Sequence, residues 1–199
     1  SSFGEYIESL KGKIVFTEKA GVNSAIIDST EDLNLAMQNL AFSLSLYSGQ
    51  MCTAPQNIFI PENGIINNGT IVDYDTVVKT LVSAVNNLVT NPKMGSGTLG
   101  AVQSVATCKR IEDCLKLDAK VLSSPVIIQN PEFPSARLFS PVILEVNSNK
   151  KEVYEKELFG PISIIIKTKN TDESIRLAKE MAMKKGALSC AAYTTDPKV

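Results

Sequence analysis

Strand-sized apolar runs alternate with helical stripes along this chain, and that alternation constrains its fold more than any other feature. Short strands are expected at residues 13–16 and 25–28. Ser29-Thr30-Glu31-Asp32 then offers a hydroxyl cap and acids suited to the positive end of a helix. Leu33, Met37, Leu40, Phe42 and Leu44 continue that helix toward Tyr47, with Gly49 as its stop. Residues 57–60 read as a strand closed by Pro61, and the polar stretch 62–69 as a surface loop. Asp73 can cap a second helix with the stripe Val77, Val78, Leu81, Val82, Val85 and Leu88, ended by Asn91-Pro92. A third helix is expected over 101–117, then strands at 120–122, 125–128, 141–146 and 162–167, with 131–134 as a loop. Thr171-Asp172-Glu173 opens a fourth helix through Ile175, Ala178 and Met181, Lys184-Lys185-Gly186 closes it, and 187–193 is the last strand. The order predicts an α/β fold: a largely parallel open sheet with flanking helices.

Several function classes are excluded at once. The chain has no histidine among its 199 residues, so no Ser-His-Asp triad, no Cys-His pair and no imidazole metal ligand can come from it. Acid–base chemistry falls to Glu, Asp, Lys, Tyr or Cys. Twenty basic residues against 21 acidic ones leave a net charge of −1, which gives no footprint for nucleic acid or an anionic membrane. No apolar run approaches the ~20 residues of a membrane span. Ser1-Ser2-Phe3-Gly4-Glu5 has no basic stretch of the kind that starts a secretory signal. Cys52, Cys108, Cys114 and Cys190 form no Cys-x-x-Cys pair, so no metal site is expected, and reduced thiols in a cytoplasmic protein are.

Gly95-Ser96-Gly97-Thr98-Leu99-Gly100 matches a dinucleotide fingerprint in letters only. That mechanism needs a strand immediately before the glycines, and the preceding segment has a helical pattern. The segment is expected to be a flexible loop between two helices. Cys52 follows a helix and precedes a strand, with Gly49 nearby, as a nucleophilic cysteine requires. By itself it equally suits a small buried hydrophobe, the only reading for Cys108, Cys114 and Cys190: two on a helix, one in a buried-type strand. Glu18, at a strand end before Gly21, and Glu157 each also suit an ordinary surface carboxylate.

Together these segments form a pattern. Gly49-Gln50-Met51-Cys52-Thr53-Ala54-Pro55 resembles the catalytic cysteine motif of the aldehyde dehydrogenase superfamily. Glu18-x-x-Gly21-x-Asn23, 34 residues before Cys52, resembles its glutamate motif, with Lys19, Ala20 and Val22 in place of more usual residues. Glu157-x-Phe159-Gly160-Pro161 resembles its cofactor-contacting motif, and Phe139-Ser140-Pro141-Val142-Ile143-Leu144 the segment before it. The string from Thr17 to Asn23 is most similar to the phenylacetic acid degradation protein PaaN branch.

The resemblance implies an NAD(P)-dependent oxidation of a small-molecule aldehyde. Cys52 would be the nucleophile, passing through a thiohemiacetal and a thioester. Glu18 would be the base that activates the hydrolytic water. Glu157 would hydrogen-bond the nicotinamide ribose and Phe159 would pack against the cofactor. Residues 1–199 would be a single catalytic domain excised from a larger, homo-oligomeric chain, without its nucleotide-binding domain. A thiol with pKa ~8.5 is mostly protonated at neutrality, and the helix before Cys52 presents its negative end, so activation must come from elsewhere in the site. Two alternatives stay open: release of the acyl group to coenzyme A, and a silent domain kept for binding or assembly.

Overall fold

The computed structural model describes residues 2–17 and 21–199. Helix α1 (Ser2–Glu8) precedes strands β1 (Ser24–Ile27) and β2 (Ser29–Thr30). Helix α2 (Leu33–Ser45) runs into a 3₁₀ turn at Leu46–Gly49, followed by β3 (Asn57–Pro61), β4 (Ile65–Asn67) and β5 (Thr70–Val72). Then come α3 (Tyr74–Val89), α4 (Gly95–Leu99), α5 (Val105–Cys114), β6 (Lys120–Ser123) and β7 (Val142–Asn147). The chain continues through α6 (Lys151–Tyr154), β8 (Ile162–Thr168), α7 (Thr171–Lys185) and β9 (Cys190–Tyr193). Among the described residues, no helix is long and apolar enough to cross a membrane.

The main sheet has the order β6-β7-β8-β3-β1-β9, parallel throughout except for β6 against β7. Its four central strands, β7, β8, β3 and β1, are buried on both faces, which is why they read as apolar runs and not as polar–apolar alternations. The period of two sorts their side chains between two cores. Ile27, Ile58, Ile60, Ile143 and Ile165 pack with α2 and α3, through residues such as Leu40 and Leu81. Ile26, Phe59, Leu144, Ile164 and Ile166 pack on the other face with α5, α6 and α7, through Ile111, Tyr154 and Leu177. Phe59 meets Tyr154 edge-on, with ring centroids 6.2 Å apart. The α/β fold read from the alternation is the fold observed.

Several local expectations need correction. Residues 13–16 form no strand; Ile14 and Phe16 are 90% and 93% exposed, and a short apolar run with no strand beside it among the described residues stays irregular. Ser29 and Thr30 pair with β4, so the cap of α2 is Asp32, which accepts from the Leu35 N–H at 3.0 Å. Stretch 62–69 contains a hairpin strand: β4 and β5 are antiparallel, joined by Asn68 and Gly69 at φ 46° and 77°. Asn-Gly between apolar residues is a recognised hairpin turn, and this signal was available in the sequence. The third helix starts only at Val105, capped by Ser104, and ends at Cys114. Residues 125–128 contribute one isolated bridge, Ile127 to Phe139. Gly95–Leu99 is a short helix rather than an open loop, still fed by a helix and not by a strand. Asn170, one residue before the expected Thr171, caps α7. The last strand is only Cys190–Tyr193; as the sheet edge it leaves Cys190 exposed, not buried.

Candidate active site

The cysteine loop begins with a run of left-handed backbone. Tyr47, Ser48 and Gly49 take φ values of 51°, 56° and 62°, a conformation that costs a non-glycine residue about 1–2 kcal/mol. Polar contacts hold it in place. Ser48 Oγ donates to the carbonyls of Leu99 and Gly100, at 2.6 and 2.9 Å. The Gln50 amide donates to Tyr47 O and Ala101 O, and accepts from the Gln103 N–H. The glycine-rich segment thus supports the cysteine loop through its carbonyls. Helix α2 itself stops at Ser45, and the left-handed run intervenes before Cys52.

Two backbone segments meet at this loop with no room for side chains. A Cβ on Gly49 would lie 2.4 Å from the Gly160 carbonyl oxygen. A Cβ on Gly21 would lie 2.3 Å from that of Gly186. These contacts bring the cysteine loop against the Glu157–Gly160 segment, and the Gly21–Asn23 segment against the turn that follows α7.

Asn23 joins three parts of the site. It is 2% exposed, and every polar position on its amide is used. Nδ2 donates to Cys52 O at 2.6 Å and Ala54 O at 3.1 Å. Oδ1 accepts from the N–H groups of Leu188 and Ser189, at 2.9 and 3.0 Å. Asn23→Ala is expected to destabilise the fold by about 2–3 kcal/mol, because several buried groups lose partners together. Urea melts should show it, with faster amide exchange at Leu188 and Ser189; unchanged exchange there would contradict this role.

The Glu157 segment is anchored at both ends. The Leu158 N–H donates to Gln56 Oε1 at 2.6 Å, and Gln56 Nε2 donates to Lys156 O at 2.9 Å. Arg110 Nη1 donates to Phe159 O at 2.7 Å. Cys52, Glu157, Phe159, Gly49 and Asn23 line one narrow crevice, with a cavity of about 20 Å³. Glu157 also lines a broader groove of about 770 Å³ with Gly21, Lys156 and Lys185. The structure thus brings three of the four sequence-predicted residues, Cys52, Glu157 and Phe159, to one place. The fourth, Glu18, lies outside the described residues; Gly21, three positions later, lines the same crevice.

The other thiols lie elsewhere. Cys114 is buried and donates to Ile111 O, and burial, reinforced by the Asp113 charge, pushes its pKa up to about 11. Cys108 is half-buried on α5 and Cys190 sits on the exposed edge strand. Among the described residues, no cluster of three or more His, Cys, Asp or Glu could hold a metal ion. The sequence reading missed Gln56, Arg110 and the linking role of Asn23. The one local hint was a polar Gln56-Asn57 pair opening an otherwise apolar strand.

Residues 1–199 match the Aldehyde dehydrogenase family along their whole length. A crystal structure of an NAD-dependent aldehyde dehydrogenase from Burkholderia multivorans superposes with a TM-score of 0.94 at 40% identity, over 99% of this chain and 35% of that one. Aldehyde dehydrogenase family 7 member A1 of Malus domestica is 26% identical over 90% of this chain and 33% of its own length. N-succinylglutamate 5-semialdehyde dehydrogenase of Burkholderia cenocepacia is 24% identical over 94% of this chain and 36% of its own. The chain therefore spans about a third of the length of the curated relatives it matches.

Proposed function

The chain belongs to the aldehyde dehydrogenase family, and from that premise we propose that it is the cysteine-bearing catalytic domain of a protein that oxidises an aldehyde to an acid with NAD or NADP. The observation that carries the reading is the crevice that Cys52 shares with Glu157 and Phe159.

The Glu157–Phe159 loop suits a nicotinamide nucleoside. It offers a carboxylate that can accept from ribose hydroxyls and an aromatic ring that can pack on a flat group, both on an anchored backbone. Glu157 and Phe159 would hold the cofactor in those ways, and when bound it supplies the acceptor for the aldehyde's hydride. Cys52 Sγ adds to the aldehyde carbonyl carbon to give a thiohemiacetal, whose oxidised form is an acyl thioester on the same sulfur. The Cys52 main-chain N–H supplies one donor to the carbonyl oxygen as charge develops there. Glu18 takes a proton from water, the resulting hydroxide attacks the thioester carbon, and the C–S bond breaks to release the acid and the thiolate. A glutamate in this motif favours water over coenzyme A as acyl acceptor, because hydrolysis needs a base. The likeness of the Glu18 segment to the phenylacetic acid degradation branch points to an aldehyde formed when the ring of phenylacetyl-CoA opens.

Iodoacetamide labelling tests the nucleophile. At pH 8 the intact protein should lose NADH formation in step with alkylation of Cys52, and saturating aldehyde should slow both. Cys114 should label last, because a thiol with a pKa of about 11 is almost wholly protonated there and its sulfur is buried. Equal labelling of all four cysteines, or activity that survives complete Cys52 alkylation, would remove the assignment.

A further inference from the structure

Gln56 sits immediately before β3, four residues after Cys52, and is 7% exposed. Its main chain is committed to the sheet: its N–H donates to Asn23 O and its carbonyl accepts from the Ile164 N–H. Its side chain acts as a short extra strand. Nε2 donates to Lys156 O and Oε1 accepts from the Leu158 N–H, across 100 and 102 residues of sequence. The second hydrogen of Nε2 goes to Asn57 Oδ1 at 3.2 Å. Next to it, Asn57 Nδ2 donates to Tyr154 O at 2.8 Å. The peptide groups on either side of Glu157 cannot rotate without breaking the two Gln56 bonds. The cysteine turn and the Glu157 turn are therefore joined through one buried amide.

We propose that Gln56 is a positioning residue that fixes the Glu157 loop in its cofactor-holding conformation before the cofactor arrives. The inference rests on the reading of Glu157 and Phe159 as cofactor contacts. A loop already held pays less ordering entropy on binding, so the gain appears in cofactor affinity. Arg110, donating to Phe159 O, performs the same service at the other end of the loop. Gln56 also lines the crevice, but both of its amide hydrogens and its amide oxygen are committed to Asn57 and the Glu157 segment, so its effect should fall on that loop and not on the sulfur.

The test uses Gln56→Ala in the intact protein. By calorimetry the Kd for NAD or NADP should rise about tenfold, the size expected from two lost hydrogen bonds that pre-order a binding loop. KM for the aldehyde and the alkylation rate of Cys52 should stay within about twofold. In the cofactor-free protein, the Leu158 amide should exchange about tenfold faster or more, with Ile58 and Ile60 unchanged. If that variant does not fold, Gln56→Glu decides. It keeps an acceptor for Leu158 but loses the donor to Lys156, so Leu158 should stay protected while the cofactor Kd still rises. A folded variant with wild-type cofactor affinity, or with wild-type exchange at Leu158 in Gln56→Ala, overturns the proposal. Wild-type protein that binds neither NAD nor NADP overturns the functional reading itself, and this inference with it.

Discussion

Replacing Cys52 by Ala is expected to lower NAD(P)-dependent aldehyde oxidation by the intact protein about 10⁴-fold or more, the scale on which removal of a covalent nucleophile is felt. The chain contains no substitute. It has no histidine to activate a water in place of the thiol. Cys108, Cys114 and Cys190 do not line the crevice. The variant should fold normally, because Cys52 is half-buried and its tie to Asn23 runs through the main-chain carbonyl, which alanine retains. Stability should therefore change by no more than about 1 kcal/mol, and cofactor affinity by less than threefold. Cys52→Ser keeps a hydroxyl in place but offers a far weaker nucleophile, so it should also be severely impaired. Initial rates of NADH formation measure both variants. Residual activity within tenfold of wild type in Cys52→Ala would mean that the chemistry lies elsewhere.

Gly49→Ala should damage the fold of the site through two costs at once. Its φ of 62° disfavours any side chain, at about 1–2 kcal/mol. The new Cβ would also sit 2.4 Å from the Gly160 carbonyl oxygen, a backbone atom that cannot swing aside. Forcing the two segments apart adds about 1–3 kcal/mol, by analogy with overpacked cores. The sum, roughly 3–5 kcal/mol, is a large share of the stability of an ordinary domain. Activity should fall as well, since the displaced segments carry Cys52 on one side and Glu157 with Phe159 on the other. Gly69→Ala is the control. Its φ is 77°, but a Cβ there meets nothing within 4 Å, so only the conformational cost of about 1 kcal/mol applies. Equal urea midpoints for the two variants would show that the close approach of Gly49 and Gly160 carries no energetic weight.

The layer order of the fold was legible in the sequence because the sheet interior announces itself. Residues 164–166 and 142–144 are apolar at every position, and only a strand covered on both faces needs that. Asp73 likewise marked the start of α3, with its carboxylate on the Thr76 N–H. Failures came where partners decide. Residues 13–16 hold a short apolar run like a strand yet pair with no strand among the described residues, and the short β4–β5 hairpin leaves Ile66 and Ile71 half or more exposed. Cys190 looked interior because its neighbours are small and apolar, but β9 is the last strand of the sheet. At the site, Cys52, Glu157 and Phe159 could be picked out because each sits in a contiguous motif. Gln56 could not, nor could the linking role of Asn23, although Asn23 closes the glutamate motif. Each acts through a side-chain amide on backbone far along the chain, and no local spacing encodes a partner that distant.

The edge position of β9 has a consequence for how the crevice comes into being. Asn23 reaches both the cysteine loop and the residues just ahead of β9, while Gln56 reaches across to the segment before β8. These links join points far apart in sequence, so they carry a heavy loop-closure cost and are slow to form. The crevice thus forms together with the long-range parallel pairs, since β3 and β8 pair across a sequence distance like that of the Gln56 link. It is also first to be lost, because fraying of an edge strand removes the Asn23 anchors before the sheet interior opens. The Cys52 loop keeps its place in the crevice only while β9 stays paired with β1.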